Sequence, residues 1–189
     1  MSFRAATDAG FARATWDRLG STTQDDDAVQ RHIDLILRLQ YLDLPALRAR
    51  KIKVALDCVR GAGARIMVAL LEALGCDVTA IHTEADGRFP HPPEPLAENL
   101  GDLSALVRRT GADIGLAVDP DVDRLAIVDE TGAPIGEDYT LAFATALVLR
   151  RTPGVVVTNL STSRVVEDAA LAAGQRCVRA TVGEANVAS

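Results

Sequence analysis

Apolar residues along this chain fall into short runs that alternate with amphipathic stretches. Residues 1–24 show no clear period. Val29, Ile33, Ile36, Leu37 and Leu39 then lie near helical spacing, behind Asp25, Asp26 and Asp27, whose charges suit a helix N-terminus. A helix is expected over 25–42, with Pro45 as its breaker. Residues 51–57 read as a strand leading to a turn at Arg60, Gly61, Ala62 and Gly63, and 64–74 as a helix stopped by Gly75. A strand over 77–82 precedes a loop over 85–95 that holds four prolines and a glycine. A second helix is expected over 96–110, ended by Gly111, then a buried strand over 114–118 and a short one over 125–128. Helix 137–150, strand 154–158, helix 162–173 and strand 176–180 follow, and Gly183 opens a further element.

Strands alternating with helices build a largely parallel sheet flanked by helices. The expected fold class is α/β: a three-layer α/β/α domain around a mostly parallel, mixed sheet, followed by part of a second, similar α/β domain. The boundary is placed near residues 132–137. Two strands and two helices are thin for an independent core, so the chain is expected to be interrupted at Ser189.

Hydrophobic residues make up 48% of the 189, enough for a core, but aromatics are only 4%, so Ala, Val, Leu and Ile must fill it; Trp16 is expected to pack. A net charge of −6 argues against nucleic acid or an anionic membrane as partner. No apolar run reaches the roughly 18 residues of a membrane span, and no signal sequence opens the chain. Cys58, Cys76 and Cys177 are scattered and odd in number, which fits buried, reduced thiols in a cytoplasmic protein. His32, His82 and His91 are widely separated and expected to be independent surface or loop residues. Gly61 and Gly63 lack the third glycine of a dinucleotide-binding turn and read as a tight turn. Glu137 and Asp138 are expected to open a helix.

The chemistry concentrates in Asp119, Pro120, Asp121, Val122, Asp123 and Arg124. An apolar strand delivers three carboxylates at alternate positions. In a continuing strand these would stand about 6.6 Å apart, too far to share one small ion, so the chain must curl, and Pro120 suits a backbone leaving the sheet. Three close carboxylates repel and raise one another's pKa unless a cation joins them. Hard oxygen donors without His or Cys suit Mg²⁺, Mn²⁺ or Ca²⁺. An EF-hand loop would need glycine where Arg124 stands, between helices rather than strands. A phosphatase of the haloacid-dehalogenase type would carry its D-x-D nearer the start of the sheet. Arg124 suits either a metal-bound phosphate or charge balance for the aspartates.

At these residues the chain resembles the α-D-phosphohexomutase superfamily of phosphoglucomutases, phosphomannomutases and phosphoglucosamine mutases. The family's metal loop is D-G-D-G-D-R; here Pro120 and Val122 replace its glycines. Residues 54–57 with Gly61 and Gly63 resemble the opening of the family's second domain, and Asp86, Gly87, Phe89, Pro90, Pro93, Pro95, Glu98, Asn99 and Leu100 match its D-G-x-F-P…P-x-P…E-N-L loop. The resemblance spans roughly 25–189. It implies that 1–45 is the end of a first domain and a linker helix, 46–133 the metal-binding second domain and 134–189 part of the third. It also implies that Asp119, Asp121 and Asp123 hold Mg²⁺ and that the catalytic Arg124 contacts the phosphoryl group in transit. The implied activity is transfer between the 1- and 6-phosphates of a sugar through a phosphoserine. The implied partners are a hexose phosphate and a phosphoserine loop from a first domain, with no nucleic acid and no membrane. No S-H-N-P loop occurs, and the third domain's Lys near Leu160 and its basic residue within 181–184 are not matched. The chain alone is therefore expected to be inactive. Two alternatives stand: a non-catalytic Mg²⁺ or sugar-phosphate-binding domain, and a Mg²⁺-dependent phosphatase.

Overall fold

The computed structural model describes residues 14–188, so the N-terminal part of the implied first-domain remnant and the expected interruption at Ser189 lie outside the described residues. Helix α1 (Ala28–Leu37) ends five residues before the expected 42. Only Ile33 of that helix is fully buried, and Leu35 and Leu39 are exposed. Pro45 does not break a helix but begins one. Asp43 caps α2 (Leu44–Arg50) by accepting from the Ala46 amide, and Pro45 sits in the first turn, where a missing N–H costs nothing.

Strands β1 (Lys53–Asp57), β2 (Asp77–Ile81), β3 (Ile114–Val118) and β4 (Leu125–Val128) form one sheet in the order β2-β1-β3-β4. β1 runs parallel to β2 and β3, and β4 pairs antiparallel with β3, making the sheet mixed. Helix α3 (Gly63–Ala73) covers one face through Val54, Leu56, Ala64 and Leu71, with Met67, Ile114 and Leu116 beside them. Helix α4 (Gly101–Thr110), preceded by a 3₁₀ turn at Ala97–Asn99, covers the other through Leu103, Leu106 and Val107 against Ala55, Ala117 and Ala126. The alternation of side chains along each strand thus divides the core into two layers. Small residues dominate the α4 face, and a Cβ on Gly115 would lie 2.7 Å from Val107. Each fully buried Leu or Val contributes on the order of 1.5–3 kcal/mol.

Beyond this sheet, helix α5 (Asp138–Leu149) packs on helix α6 (Arg164–Ala172), and strands β5 (Val156–Asn159) and β6 (Cys177–Ala180) pair in parallel. The short helix α7 (Glu184–Ala188) is the element opened by Gly183. Thr140 donates to the Leu125 carbonyl at 2.6 Å, joining α5 to the first sheet. Glu137 is the N-cap residue of α5, as its acidity suggested. Two expectations are corrected. Trp16 lies in a 3₁₀ turn at Trp16–Arg18 and is 87% exposed, so it is not part of the core among the described residues. Only Cys58 is a buried thiol; Cys76 and Cys177 are half-buried. No helix among the described residues is long and apolar enough to cross a membrane.

Candidate metal centre

β3 ends in the buried pair Ala117 and Val118, and the next residue, Asp119, is itself fully buried. The chain reverses there, with the Val122 amide donating to the Asp119 carbonyl at 3.2 Å and the Asp119 amide to the Arg124 carbonyl at 3.3 Å. Residues 119–124 are therefore the turn of the β3–β4 hairpin. Val122 makes the curl with φ 67°, a left-handed backbone unfavourable for a β-branched residue. The turn brings the three aspartates together, with one carboxylate oxygen from each within 4.8 Å of the others. Asp121 and Asp123 face solvent, while Asp119 anchors the loop from inside.

Arg124 holds that anchor. Its amide donates to Asp119 Oδ1 at 3.1 Å and its Nε to Oδ2 at 2.9 Å. Its Nη1 reaches Glu94 of the proline-rich loop at 3.3 Å, and Asp123 lies 3.6 Å from its Nε. Burial alone would raise the Asp119 pKa, but the Arg124 amide and guanidinium, helped by Asp123, outweigh it and hold the carboxyl low. Asp123 is pushed up, first by its contact with Asp119 and then by the charges of Asp121 and Asp119. Contact with Asp119 and Glu94 raises the Arg124 pKa. The loop thus carries more negative charge than Arg124 balances, an excess that a divalent cation would remove. The all-oxygen donor set fits Mg²⁺, which prefers a few carboxylates and completes its shell with water or phosphate oxygens.

The turn after β1 presses on this loop. The Ala62 amide donates to the Pro120 carbonyl at 2.8 Å, and a Cβ on Gly61 would stand 2.7 Å from both Cα and O of Pro120. A cleft of about 420 Å³ opens on the other side, lined by Pro95, Asp123, Arg124, Leu125, Glu137 and Thr140. It lies between the hairpin and the start of α5, so Glu137 faces the same space as Arg124.

The histidines overturn one expectation. His82 and His91 are not independent: their ring centroids are 5.5 Å apart, edge to face, and both reach Asp57. Asp57 is buried at the end of β1, 25 residues from one ring and 34 from the other. Those separations hide the cluster in the sequence; the available signal was a carboxylate ending an otherwise apolar strand. His32 lies apart on α1 and is exposed, as expected.

Residues 30–132 match the family model for the α/β/α domain II of phosphoglucomutase/phosphomannomutase. The chain is 35% identical over 184 residues to a protein of Methanopyrus kandleri named as a probable phosphoglucosamine mutase, covering 96% of this chain and 40% of that one. It is 47% identical over 111 residues to a phosphomannomutase/phosphoglucomutase of Pseudomonas putida, covering 58% of this chain and 24% of that one. A crystal structure of a phosphoglucomutase/phosphomannomutase family protein from Burkholderia thailandensis superposes with a TM-score of 0.71 at 29% identity, over 84% of this chain and 34% of that one. The chain spans 40% of the length of the Methanopyrus relative, so the match is to part of a longer protein.

Proposed function

The chain belongs to the phosphoglucomutase/phosphomannomutase family, and from that premise we propose that it supplies the Mg²⁺-binding part of a phosphohexomutase. The full activity would be phosphoryl transfer between the 1- and 6-positions of a hexose phosphate through a phosphoserine. The observation that carries this reading is the β3–β4 turn, which gathers three carboxylate oxygens within 4.8 Å of one another beside an arginine.

Asp119, Asp121 and Asp123 would hold the ion. Bound there, Mg²⁺ would neutralise charge on a phosphate oxygen, and phosphoryl transfer depends mostly on such positioning and neutralisation. Arg124 keeps Asp119 ionised and oriented. Its Nε and Nη1 are engaged by Asp119 and Glu94, which fixes the plane of the guanidinium, and the side chain is still half-exposed towards the cleft. The remaining N–H donors suit a phosphoryl oxygen. The cleft volume falls within the range of small-molecule sites, and Glu137 and Thr140 offer it polar groups suited to sugar hydroxyls.

No residue of this chain matches the S-H-N-P loop of the family resemblance. The phosphoserine is therefore assigned to a partner segment, and the 189 residues alone to no turnover. The scattered free thiols favour a cytoplasmic setting. Calorimetric titration with Mg²⁺ or Mn²⁺ tests the metal site: one ion per chain is expected, with binding lost in Asp121→Asn/Asp123→Asn. Unchanged uptake by that variant would reject the assignment. Glucose 1-phosphate given to the chain alone is expected to yield glucose 6-phosphate only at background. Hydrolysis of a generic phosphate ester would favour a phosphatase instead.

A further inference from the structure

We propose that Asp57, His82 and His91 form a second metal site, specific for Zn²⁺ or a similar borderline transition ion, which fastens the proline-rich loop to the end of β1. The site stands on different residues from the acidic turn, and the proposal does not depend on the mutase reading.

Each ring nitrogen of the histidine pair faces an oxygen. His91 Nδ1 lies 2.9 Å from the Pro92 carbonyl oxygen, which only accepts, so Nδ1 carries the proton. Nε2 points at Asp57 Oδ2, 3.0 Å away, and in the metal-free chain it donates a second proton there: burial opposes the charge, but the Pro92 carbonyl and Asp57 hold the His91 pKa above its ordinary value. His82 is placed similarly. Its Nδ1 is 2.9 Å from Asp57 Oδ1, and its Nε2 is 3.7 Å from Asp102 Oδ2, in the first turn of α4. The Asp57 carboxylate only accepts, so in the metal-free chain Nδ1–H of His82 donates to it. Two imidazole nitrogens thus converge on one buried carboxylate. A divalent cation at the point of convergence would displace those protons and take both rings as neutral ligands.

The outer groups are those that metal-ligating histidines use. The Pro92 carbonyl engages the far nitrogen of His91 at 2.9 Å and orients that ring, while the far nitrogen of His82 lies 3.7 Å from the Asp102 carboxylate, beyond direct hydrogen-bond distance. The ligand atoms lie within 4.8 Å of one another, and tetrahedral zinc with bonds of about 2.0–2.1 Å needs edges of roughly 3.3 Å. The two close contacts, 2.9 Å to Oδ1 and 3.0 Å to Oδ2 of Asp57, fall on different oxygens, so the rings would adjust around the carboxylate as the ion enters. Two nitrogens and one oxygen with a fourth position for water suit zinc better than magnesium, which favours an oxygen shell. Asp57 also accepts from the Val59 amide at 2.8 Å, so the carboxylate is held in place from its own strand. The loop that carries His91 also carries Glu94, which pairs with Arg124. Zinc at this site would therefore steady the Arg124 side chain as well.

The test is zinc stoichiometry and affinity of the whole chain, measured by elemental analysis after gel filtration and by competition with a chromogenic chelator. One Zn²⁺ per chain is expected beyond any held by the acidic turn, unaffected by millimolar Mg²⁺. Affinity should fall at least tenfold in His82→Ala and in His91→Ala and stay unchanged in Asp121→Asn/Asp123→Asn. No uptake by the unsubstituted chain would overturn the proposal, as would uptake indifferent to the histidine variants or lost with the acidic-loop variant. Should a histidine variant fail to fold, X-ray absorption of the zinc-loaded parent decides the matter. Scattering from two imidazoles supports the site, and an oxygen-only shell overturns it.

Discussion

Replacing Gly61 by alanine should damage the acidic turn without touching any of its carboxylates. The added Cβ would stand 2.7 Å from the Pro120 Cα and carbonyl oxygen, against about 3.4 Å for an ordinary contact, so the two backbones must part by about 0.7 Å. Neither neighbour is a flexible side-chain end that could swing away. Overpacking of this kind costs about 1–3 kcal/mol, and weakening the Ala62–Pro120 hydrogen bond adds about 0.5–1.5 kcal/mol. A loss of roughly 2–4 kcal/mol should lower Tm by about 5–15 °C at this chain length. Mg²⁺ tolerates little distortion of its shell, so displacing the loop by a fraction of an ångström should weaken binding by about tenfold, or about 1.4 kcal/mol. Gly101→Ala is the control. Its Cβ meets nothing within 4 Å, and in the first turn of α4 it should be neutral or stabilising by up to about 1 kcal/mol. Urea unfolding and calorimetric titration of both variants check this. If Gly61→Ala unfolds within about 0.5 kcal/mol of the parent and binds Mg²⁺ equally well, the close approach of the two loops is refuted; a stability loss with unchanged binding would spare the packing and sink the coupling.

Three further outcomes are expected. Val122→Gly should be more stable than Val122→Ala by about 1 kcal/mol in urea titration, because both lose the valine packing but only glycine removes the left-handed strain; alanine equal to or above glycine would contradict it. Burial, and then the charge of Asp57, push the Cys58 thiol up to about 12, so at pH 8 it should resist alkylation in the folded chain and label only on unfolding, as mass spectrometry of the peptide would show. Asp129 accepts from the Thr131 hydroxyl and amide and from the Ala133 amide, contacts that hold its carboxyl below the ordinary value. The folded pKa is depressed, so this stability is present above about pH 3.9 and is lost as acidification carries pH through the lowered value; Asp129→Asn should flatten that part of the pH–stability curve, and an unchanged slope would count against it.

Much of the architecture was readable because the elements around the site carry undiluted local signals. β3 and β4 occupy the residues their apolar runs marked, each bounded by polar groups, and α4 ends at Gly111 with φ 62°. α1 is shorter than its pattern because Leu39 extends the stripe in sequence but not in burial. α2 is hidden in the sequence because Pro45 reads as a breaker, whereas the Asp43 cap makes it a first-turn proline. The three aspartates announced themselves through spacing, but the means of gathering them did not: a valine at positive φ is contrary to propensity and is held by its surroundings. Glu94 with Arg124, and Asp57 with the two histidines, were invisible because they join segments about 25–35 residues apart through the crossovers of a parallel sheet.

The acidic turn is also the reversal that sends the chain into β4, one of the two end strands of its sheet. An ion that grips the turn only when it is closed makes opening of that margin rarer by the factor one plus concentration over Kd, about tenfold once free Mg²⁺ is ten times Kd. Deuterium uptake along β4 would then serve as a gauge of occupancy, and a count of exchanged amides would follow the proposed ion without any sugar in the tube.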